Sequence, residues 1–294
     1  MKFACIARLQ GEFPVRLMCE LLDVSAAGFY RARHRRPSAR ARETARLRVA
    51  IRAEHQASAE RYGAPMIYHE LRAQGIPCGR HRVARVMREE GLRGCRPHRF
   101  RVTTTQSAHR EPVAPNLLAR RFHPSEYRER DQVWVADITY LSTLEGWLYL
   151  AVVLDLGTRR VIGWNVAPHL GQSLALGALE QAVALRRPAA GVLHHSDRGV
   201  QYASGAYQAV LQRHRMVGSM SRAGNCWDNA VVESFFATLK AELAQTARWP
   251  TRAAAHRALS GYIDPWYNHQ RRHSALGYRS PVAYERALAQ LRSA

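Results

Sequence analysis

Three strand-like runs follow one another in this 294-residue chain with connections too short to hold a helix. The runs are residues 132–141, 147–156 and 161–167, and Gly146 and Gly157 mark the two turns between them. Turns this tight join antiparallel neighbours, so the runs predict a three-stranded antiparallel sheet. Any fold for the chain must contain that sheet.

Helical and strand-like segments alternate after the three runs. We expect a helix over 173–187, a strand over 192–195, a helix over 204–214, a short strand over 216–220 and a last amphipathic helix over 229–240. The order βββαβαβα is that of a ribonuclease-H-like core. The predicted fold class is therefore α/β, with a mixed five-stranded sheet covered by helices.

Three carboxylates of this predicted core stand where an ordinary globular protein places no charge. Asp137 interrupts the apolar run 133–141, Asp197 directly follows the buried-looking run 191–196, and Glu233 lies on the last amphipathic helix. An ionised carboxylate inside an apolar strand is strongly unfavourable unless it has a partner, and a bound cation supplies one. The three elements are expected to bring the three side chains to one point.

Oxygen ligands of this kind suit Mg²⁺, and two divalent ions about 4 Å apart stabilise the entering and leaving oxygens in phosphodiester attack. We therefore predict that Asp137, Asp197 and Glu233 are catalytic residues and ligands of two Mg²⁺ ions, for which Mn²⁺ can substitute. Lys240 follows Glu233 by about two helical turns, so it is expected on the same face, as a cation that grips DNA.

Simpler interpretations exist for each of these residues. Asp137 could pair with an arginine, Asp197 could cap the turn at 197–199, and Glu233 and Lys240 could be solvated helix charges. His194, His195 and Trp227 are less specific, and a packed imidazole is as good an interpretation of each histidine as a phosphate contact. Asp228 and Asn229, just before the last helix, are predicted to be N-caps.

The charge of the chain predicts a polyanionic partner. Lysine and arginine number 44 against 23 acidic residues, which gives a net charge of +21, and residues 1–124 hold 25 of the basic and 10 of the acidic side chains. An arginine-rich coding bias is the alternative, but such a bias alone does not unbalance the acids. We expect binding to double-stranded DNA.

The N-terminal part predicts helices that read DNA. Residues 15–22 and 26–33 form two short helical patterns around a turn, with Ser25 as the cap, which is typical of a helix-turn-helix, although a purely structural hairpin looks the same. An amphipathic basic helix follows over 42–57. A second helical pair lies between Tyr62 and Gly91.

Five predicted regions follow from these patterns. They are a helix-turn-helix-like region (1–57), a second helical DNA-binding module (58–94), a basic linker (95–124), the catalytic core (125–245) and a helical tail (246–294). The arginines taken as candidate DNA contacts are Arg31, Arg33, Arg35, Arg96, Arg99 and Arg101. The linker could instead be a solvated spacer.

The five cysteines are odd in number and scattered, which favours free thiols in a reducing compartment. Cys78 with His81 and Cys95 with His98 could formally form a zinc site, but nothing else in the spacing requires a metal. No apolar run is long enough to span a membrane, and the first residues do not resemble a secretory signal. We expect an intracellular protein with no membrane association.

Two long motifs resemble the OrfB transposases of the bacterial insertion-sequence-three family. They are His195-Ser-Asp-Arg-Gly-Val-Gln-Tyr202 and the stretch from Ser221 to Lys240, and the tail 267–281 and the region 62–91 are similar as well. The resemblance implies a retroviral-integrase-like core whose Asp-Asp-Glu triad falls on Asp137, Asp197 and Glu233. It places the basic residue of that family on Lys240.

The resemblance also implies an activity and partners. The expected reaction is metal-dependent cleavage at the ends of a mobile element, followed by attack of the freed 3'-hydroxyl on another strand. An upstream product, OrfA, is expected as a partner or fusion, together with a homo-oligomer on DNA in a bacterial cytoplasm, associated with the nucleoid. A non-enzymatic DNA-binding regulator and a purely hydrolytic nuclease remain as alternatives.

Overall fold

The computed structural model describes residues 2–34, 36–95, 111–244 and 249–293. Its helices before the sheet are α1 (Lys2–Leu9), α2 (Val15–Leu21), α3 (Ala26–Arg33), α4 (Ala39–Ala57), α5 (Ala64–Ala73) and α6 (Arg80–Glu89). The strands are β1 (Val133–Thr143), β2 (Gly146–Asp155), β3 (Val161–Ala167), β4 (Leu193–Ser196) and β5 (Val217–Met220). The later helices are α7 (Gln172–Arg186), α8 (Val200–Ala203), α9 (Gly205–Arg213), α10 (Ala230–Leu239), α11 (Arg252–Gly261) and α12 (Pro281–Ser293).

The first three helices form a small bundle with its own core. Ile6, Met18, Cys19 and Phe29 are buried together there. The two predicted helices are confirmed as α2 and α3, and the Ser25 hydroxyl accepts a hydrogen bond from the Gly28 amide at 3.0 Å, which satisfies one free donor of the first turn. Helix α1, which the sequence analysis does not predict, completes the bundle.

Helices α4 to α6 form a second helical group. The predicted helix over 42–57 is confirmed but begins earlier, at Ala39, because Ser38 caps it. Leu47 and Ile51 of α4 are buried in the same core as Ile67 and Val83 of the two following helices. Helix α4 thus packs with the module that follows it, and the boundary after residue 57 stays a prediction.

The sheet confirms the predicted fold class. Its strand order is β3-β2-β1-β4-β5, with β2 antiparallel to both β1 and β3, and β4 parallel to both β1 and β5. Helix α7 lies close against β3, because Gly163 has no side chain and a Cβ there would come within 2.1 Å of the Ala178 carbonyl oxygen. Apolar residues cover both faces of the sheet, so its central strands are buried.

The end of the predicted linker packs on the core. Leu118 is fully buried, and the amides of Leu117 and Leu118 donate to the Ser219 hydroxyl on β5 at 2.9 and 3.4 Å. Residues 96–110 lie outside the described part of the chain. The segment 111–124 is thus attached to the sheet rather than extended from it.

The tail joins the five-stranded sheet to the helices before it. The Arg61 guanidinium lies 4.9 Å from the centre of the Trp266 ring, and Arg272 forms an ion pair with Glu70 at 2.7 Å. On the opposite side, Glu285 of α12 binds Arg160 at 3.2 Å. None of the helices in the described ranges combines the length and apolar character that a membrane crossing needs.

Candidate active site

Asp137 lies within β1, and Asp197 directly follows the neighbouring parallel strand β4. Val135 of β1 is paired with His195 of β4, and each aspartate stands two residues further along its own strand or just beyond it. Because side chains alternate between the faces of a sheet, equal offsets from a paired position direct both carboxylates to the same face. The register of β1 and β4 therefore creates an acidic pair.

The environment of Asp137 disfavours its charge. Burial raises the pKa of this carboxyl well above its usual range, and the negative charges of Asp197 and Glu233 raise it further. The hydrogen bond from the Ile138 amide at 2.8 Å and the charge of Lys240 act in the opposite direction but are outweighed. A cation between the two aspartates would remove both the burial penalty and the repulsion.

Asp197 also holds the turn that follows β4. Its Oδ1 accepts a hydrogen bond from the Gly199 amide at 2.9 Å, as in the simple turn-capping interpretation. A side chain at residue 199 would bring a Cβ within 3.0 Å of that oxygen. The turn fixes the carboxylate at the end of the strand, and capping is thus compatible with a second role as a ligand.

Glu233 approaches the pair from α10 but does not close the site. Its side chain is exposed, partial burial raises its pKa, and its charge acts on Asp137 less strongly than that of Asp197. In the described ranges no three His, Cys, Asp or Glu side chains are close enough to form a ready metal site. The structure brings the two aspartates together, and the convergence of all three carboxylates stays a prediction.

Polar contacts hold the start of α10 against the two aspartate-bearing strands. Asn229 donates from Nδ2 to the Ala136 carbonyl at 3.1 Å, directly before Asp137. The carbonyl of Asp228 lies 3.0 Å from His195 Nε2 on β4. These two bonds fix the helix that carries Glu233 relative to both aspartates.

The side chain of Asp228 is a buried acceptor for several donors. Arg222 and Arg120 donate to its oxygens at 2.7–2.8 Å, and Asn116 donates at 2.9 Å. Hydrogen bonding from Arg222, together with that from Arg120, lowers its pKa far below the usual range. Asn229 occupies the N-cap position of α10 as predicted, although its side chain makes no capping bond. The N-cap prediction is wrong for Asp228, whose side chain binds these donors instead.

The two histidines before Asp197 are structural. His194 is buried and its Nε2 lies 2.9 Å from the Tyr207 hydroxyl, while Nδ1 of His195 lies 2.9 Å from Ser219 Oγ. Burial lowers the pKa of His194 to about 3 and that of His195 to about 4. Both rings are therefore neutral at pH 7, and neither is placed to contact a phosphate.

Lys240 lies close to the acidic pair. It is the C-cap residue of α10 and begins a π-helical turn at Lys240–Ala244, and its Nζ lies 4.7 Å from the centre of the Tyr140 ring. Burial lowers its pKa, and the charge of Asp137 partly opposes that effect. Sequence reasoning finds Lys240 but misses Tyr140, because strand alternation gives no reason to expect a residue three positions after Asp137 beside it.

The candidate DNA contacts are only partly described. Arg31 and Arg33 are exposed in the last turn of α3, and Arg33 donates a hydrogen bond to Gln10. Arg35, Arg96, Arg99 and Arg101 lie outside the described residues. Exposure on a basic helix suits a phosphate contact, and the DNA contacts of Arg31 and Arg33 stay predictions.

The alternative zinc site has little support. His98 lies outside the described residues, and burial raises the pKa of the Cys78 and Cys95 thiols, which disfavours the thiolate form that zinc binds. Cys5, Cys19, Cys78 and Cys95 are free, in agreement with the expected thiols.

Trp227, one of the less specific candidates from the sequence, lies shortly before α10 and is exposed.

Family models match three stretches of the chain. A model described as an HTH-like domain matches residues 42–100, and two models described as integrase core domains match residues 128–226 and 214–281. The stretches contain α4 to α6, the sheet with both aspartates, and the segment from β5 through α10 to the tail.

Curated relatives are similar over almost the whole chain. "Transposase InsF for insertion sequence IS3A" of Escherichia coli (strain K12) is 42% identical over 287 residues, which are 97% of this chain and 98% of the relative. An uncharacterized 31 kDa protein of insertion element IS600 from Shigella sonnei is 41% identical over 93% of this chain and 99% of the relative. Among solved structures, a simian T-cell lymphotropic virus intasome bound to the B56 gamma regulatory subunit of PP2A matches with a TM-score of 0.46 and 17% identity, over 80% of this chain and 74% of that one.

Proposed function

This chain belongs to the transposase family of insertion sequence IS3, and we propose that Asp137, Asp197 and Glu233 are its catalytic carboxylates. The protein is a DNA transposase and hence a polynucleotidyl transferase. The observation that carries the residue assignment is the register of β1 and β4, which places the two aspartates side by side with a strongly raised pKa on Asp137. A half-buried acidic pair with a perturbed pKa is typical of a functional site.

We propose that the carboxylates hold Mg²⁺, with two ions in the working site and Mn²⁺ as a substitute. The donor set fits, because hard carboxylate oxygens are the ligands that Mg²⁺ prefers, and a cation would relieve the repulsion on Asp137. Asp137 and Asp197 would be the fixed ligands, and the exposed Glu233 side chain would turn toward them to complete the set. Bound ions supply charge stabilisation to the attacking and leaving oxygens.

The chain's own groups then have separate tasks. The carboxylates must be ionised when the reaction starts, and the positive charge of Lys240 favours the ionised form of Asp137. Lys240 would also contact a DNA phosphate beside the site. Asn229 and the Asp228 carbonyl hold α10 in position, so that Glu233 needs only a side-chain movement to reach the pair.

The reaction we propose is cleavage at the ends of the insertion sequence, followed by direct attack of the freed 3'-hydroxyl on a target strand. The helical regions 1–57 and 58–94 would bind the element ends, with Arg31 and Arg33 as contacts on α3 and Arg35, Arg96, Arg99 and Arg101 as further contacts. The net charge of +21 supports a polyanionic partner. The regions 95–124, 125–245 and 246–294 would serve as linker, core and tail, with α4 counted with the second module.

The expected assembly is a homo-oligomer on double-stranded DNA, with the OrfA product or a fused OrfA region as the second partner. The charge supports the DNA part of this proposal, and family membership supports the OrfA part. A protein of this activity would work in the bacterial cytoplasm on the nucleoid.

The deciding experiment uses the full chain, with and without OrfA, on pre-cut element-end DNA with Mg²⁺ or Mn²⁺, and scores joined products. We expect Asp137→Asn, Asp197→Asn and Glu233→Gln each to abolish joining while DNA binding persists. Glu180→Gln, an exposed carboxylate on α7, is the matched control and should join normally. Unchanged joining by Glu233→Gln would reject the triad.

Two outcomes would replace the proposed reaction. Cleaved ends without joined products would point to a hydrolytic nuclease. If the native chain and all three carboxylate variants bind DNA and none of them forms a cleaved or joined product, the result would point to a DNA-binding regulator.

A further inference from the structure

Arg159 is a charged side chain without a matching acid. It lies in the turn between β2 and β3 with a left-handed backbone, φ 60°, which is costly for a residue with a side chain. Its Nη2 donates to the Phe122 carbonyl, but its Nη1 is buried and has no hydrogen-bond partner among the described residues. No carboxylate of those residues forms an ion pair with it, and burial lowers its pKa.

Asp155 does not neutralise this guanidinium. It is the only carboxylate whose charge raises the pKa of Arg159 in the described ranges, but its oxygens accept bonds from the amides of Asp131 and Thr158 and from the Thr158 hydroxyl. A buried cation with a vacant donor is strongly unfavourable, so an additional anion is the expected partner.

A cavity of about 330 Å³ adjoins Arg159. The other side chains with polar groups that line it are Arg271, His273, Ser234, Thr238, Tyr267 and Ser274. Nε2 of His273 is also buried without a partner among the described residues. Four hydroxyl-bearing side chains thus line one space together with Arg271, Arg159 and His273, and the unpartnered nitrogens of the last two are sealed from solvent behind its wall. Apolar side chains complete the wall.

Only one of the two arginines is compensated. Arg271 forms an ion pair with Glu242 at 2.8 Å, and the remaining Glu242 oxygen accepts bonds from Tyr262 and Trp266. Burial and the charges of Arg271 and Arg159 lower the pKa of His273 well below its usual range, so its ring is neutral and offers a single N–H. The cavity therefore carries an excess of one positive charge.

The cavity is separate from the acidic pair. Ala230, Ser234 and Thr238 line it at intervals of four residues along α10. At about 3.6 residues per turn, Glu233 and Lys240 project from the other side of that helix. An occupant would therefore touch α10 and the tail without contacting the proposed catalytic carboxylates.

We propose that this cavity binds a phosphate group, either of the DNA backbone or of a free phosphate anion. A guanidinium donates through two N–H groups to a phosphate, and hydroxyls and a neutral imidazole can donate to the remaining oxygens. The charge excess matches a monoanionic phosphodiester. Occupation would connect the turn between β2 and β3 with α10 and the tail residue His273.

The first test needs neither DNA nor divalent metal. The melting temperature of the full chain is measured against sodium phosphate, with sodium chloride at equal ionic strength as the reference. We expect a saturable rise of about 3 °C at ten times the half-saturating concentration. The rise should disappear in Arg159→Gln and persist in Arg213→Gln, an exposed arginine on α9.

The melting temperature of Arg159→Gln without phosphate distinguishes a role of Arg159 in phosphate binding from a role in stabilising the fold. Because Arg159→Gln removes an uncompensated buried cation, its melting temperature without phosphate should equal or exceed that of the native chain. If Arg159→Gln does not fold, Ser234→Ala serves in its place and should raise the half-saturating phosphate concentration several-fold. A missing rise, or an equal rise in the native chain and these variants, would overturn the proposal.

A second measurement distinguishes the source of the phosphate. A short DNA duplex is titrated into the native chain and Arg159→Gln with and without phosphate at constant ionic strength. If the occupant is a backbone phosphate, phosphate should weaken duplex binding by the native chain only. Equal duplex binding in all four cases, together with the thermal shift, assigns the cavity to a free anion.

Discussion

The ammonium group of Lys240 lies 4.7 Å from the centre of the Tyr140 ring, on the strand that carries Asp137. The ring face attracts the cation and shields one side of it from water. Burial lowers the pKa of Lys240 whereas the charge of Asp137 raises it, and Lys240 in turn lowers the pKa of Asp137. The cation thus acts on the ionisation of the proposed metal ligand.

Replacing Lys240 should move the pH dependence of strand joining. In Lys240→Met the pKa of Asp137 should rise, because the charge that favours its ionised form is lost. The rising limb of the pH–rate profile should then shift to higher pH, as measured with pre-cut ends at saturating Mg²⁺. Lys240→Arg keeps the charge and is the control. A lower rate with an unshifted limb would show that Lys240 contacts DNA without acting on Asp137.

Neutralising Asp137 should stabilise the metal-free protein while it abolishes joining. Burial and two negative neighbours disfavour this carboxylate, so Asp137→Asn should raise the free energy of unfolding by about 1–3 kcal/mol. Asparagine can still accept the bond from the Ile138 amide. Urea unfolding without divalent ions measures the effect.

The same variant tests the metal. Mg²⁺ should raise the melting temperature of the native chain and not that of Asp137→Asn, since a ligand of the folded state stabilises it by mass action. The exposed control Glu180→Gln should change stability by less than about 0.5 kcal/mol and keep the response to Mg²⁺. Equal Mg²⁺ responses in the native and Asp137→Asn chains would argue against a metal at this position.

The regular elements are largely predictable from local patterns. Strands β1 to β3 begin within one residue of their predicted starts, because apolar runs and glycine turns are encoded in consecutive residues. Helix α1 carries Phe3 and Ile6 at helical spacing but has no clear cap, and it is missed. The π-helical turn Tyr262–Asn268 contains Pro265 and buried aromatic residues, and no local pattern specifies that geometry.

The residues of the candidate site are only partly predictable from the sequence. Asp137 and Asp197 are recognisable because a charge next to an apolar run is unusual in any fold. The role of Asp228 is hidden, because Arg120 is 108 residues away in the sequence and only the folded chain brings the two together. The proposed approach of Glu233 to the pair requires a side-chain rotation, which neither helical spacing nor strand register determines.

Truncating Asp228 should destabilise the fold. Asp228→Ala leaves the Asn116 side chain and the Arg222 amide without their acceptor, which should cost about 2–4 kcal/mol in urea unfolding. Arg222→Gln should cost clearly less, because that arginine is 56% exposed and water replaces part of its bonding. Similar losses in both variants would mean that Asp228 serves only as the partner of Arg222.

The buried histidines should make the protein sensitive to mild acid. The pKa of His194 is lowered to about 3 in the folded chain, so between that value and about 6.5 the unfolded state binds more protons. The contribution of neutral His194 to the free energy of unfolding is therefore fully present above about pH 6.5. It decreases as the pH falls, and about 1.4 kcal/mol of it is lost at pH 5.5.

The test compares the native chain with His194→Gln, which can bond Tyr207 but does not titrate. The difference in unfolding free energy between the two should shrink or reverse between pH 7.5 and pH 5.5, by about 1.4 kcal/mol. Comparing two chains cancels the opposite pH dependence of Asp155, whose pKa burial raises to about 6. A difference that is constant over this range would contradict a neutral buried His194.

The contact between β3 and α7 should tolerate no side chain at residue 163. A Cβ on Gly163 would lie 2.1 Å from the Ala178 carbonyl oxygen and 2.8 Å from the Ala182 amide nitrogen, and both are backbone atoms of a helix that cannot move alone. Gly163→Ala should therefore cost about 3 kcal/mol in urea unfolding, because the helix must shift away from the strand. Gly205→Ala is the control, since nothing lies within 4 Å of the added Cβ in the first turn of α9, and it should be neutral or stabilising by less than about 1 kcal/mol. Equal stability of the two variants would show that α7 does not pack on β3 as closely as the geometry requires.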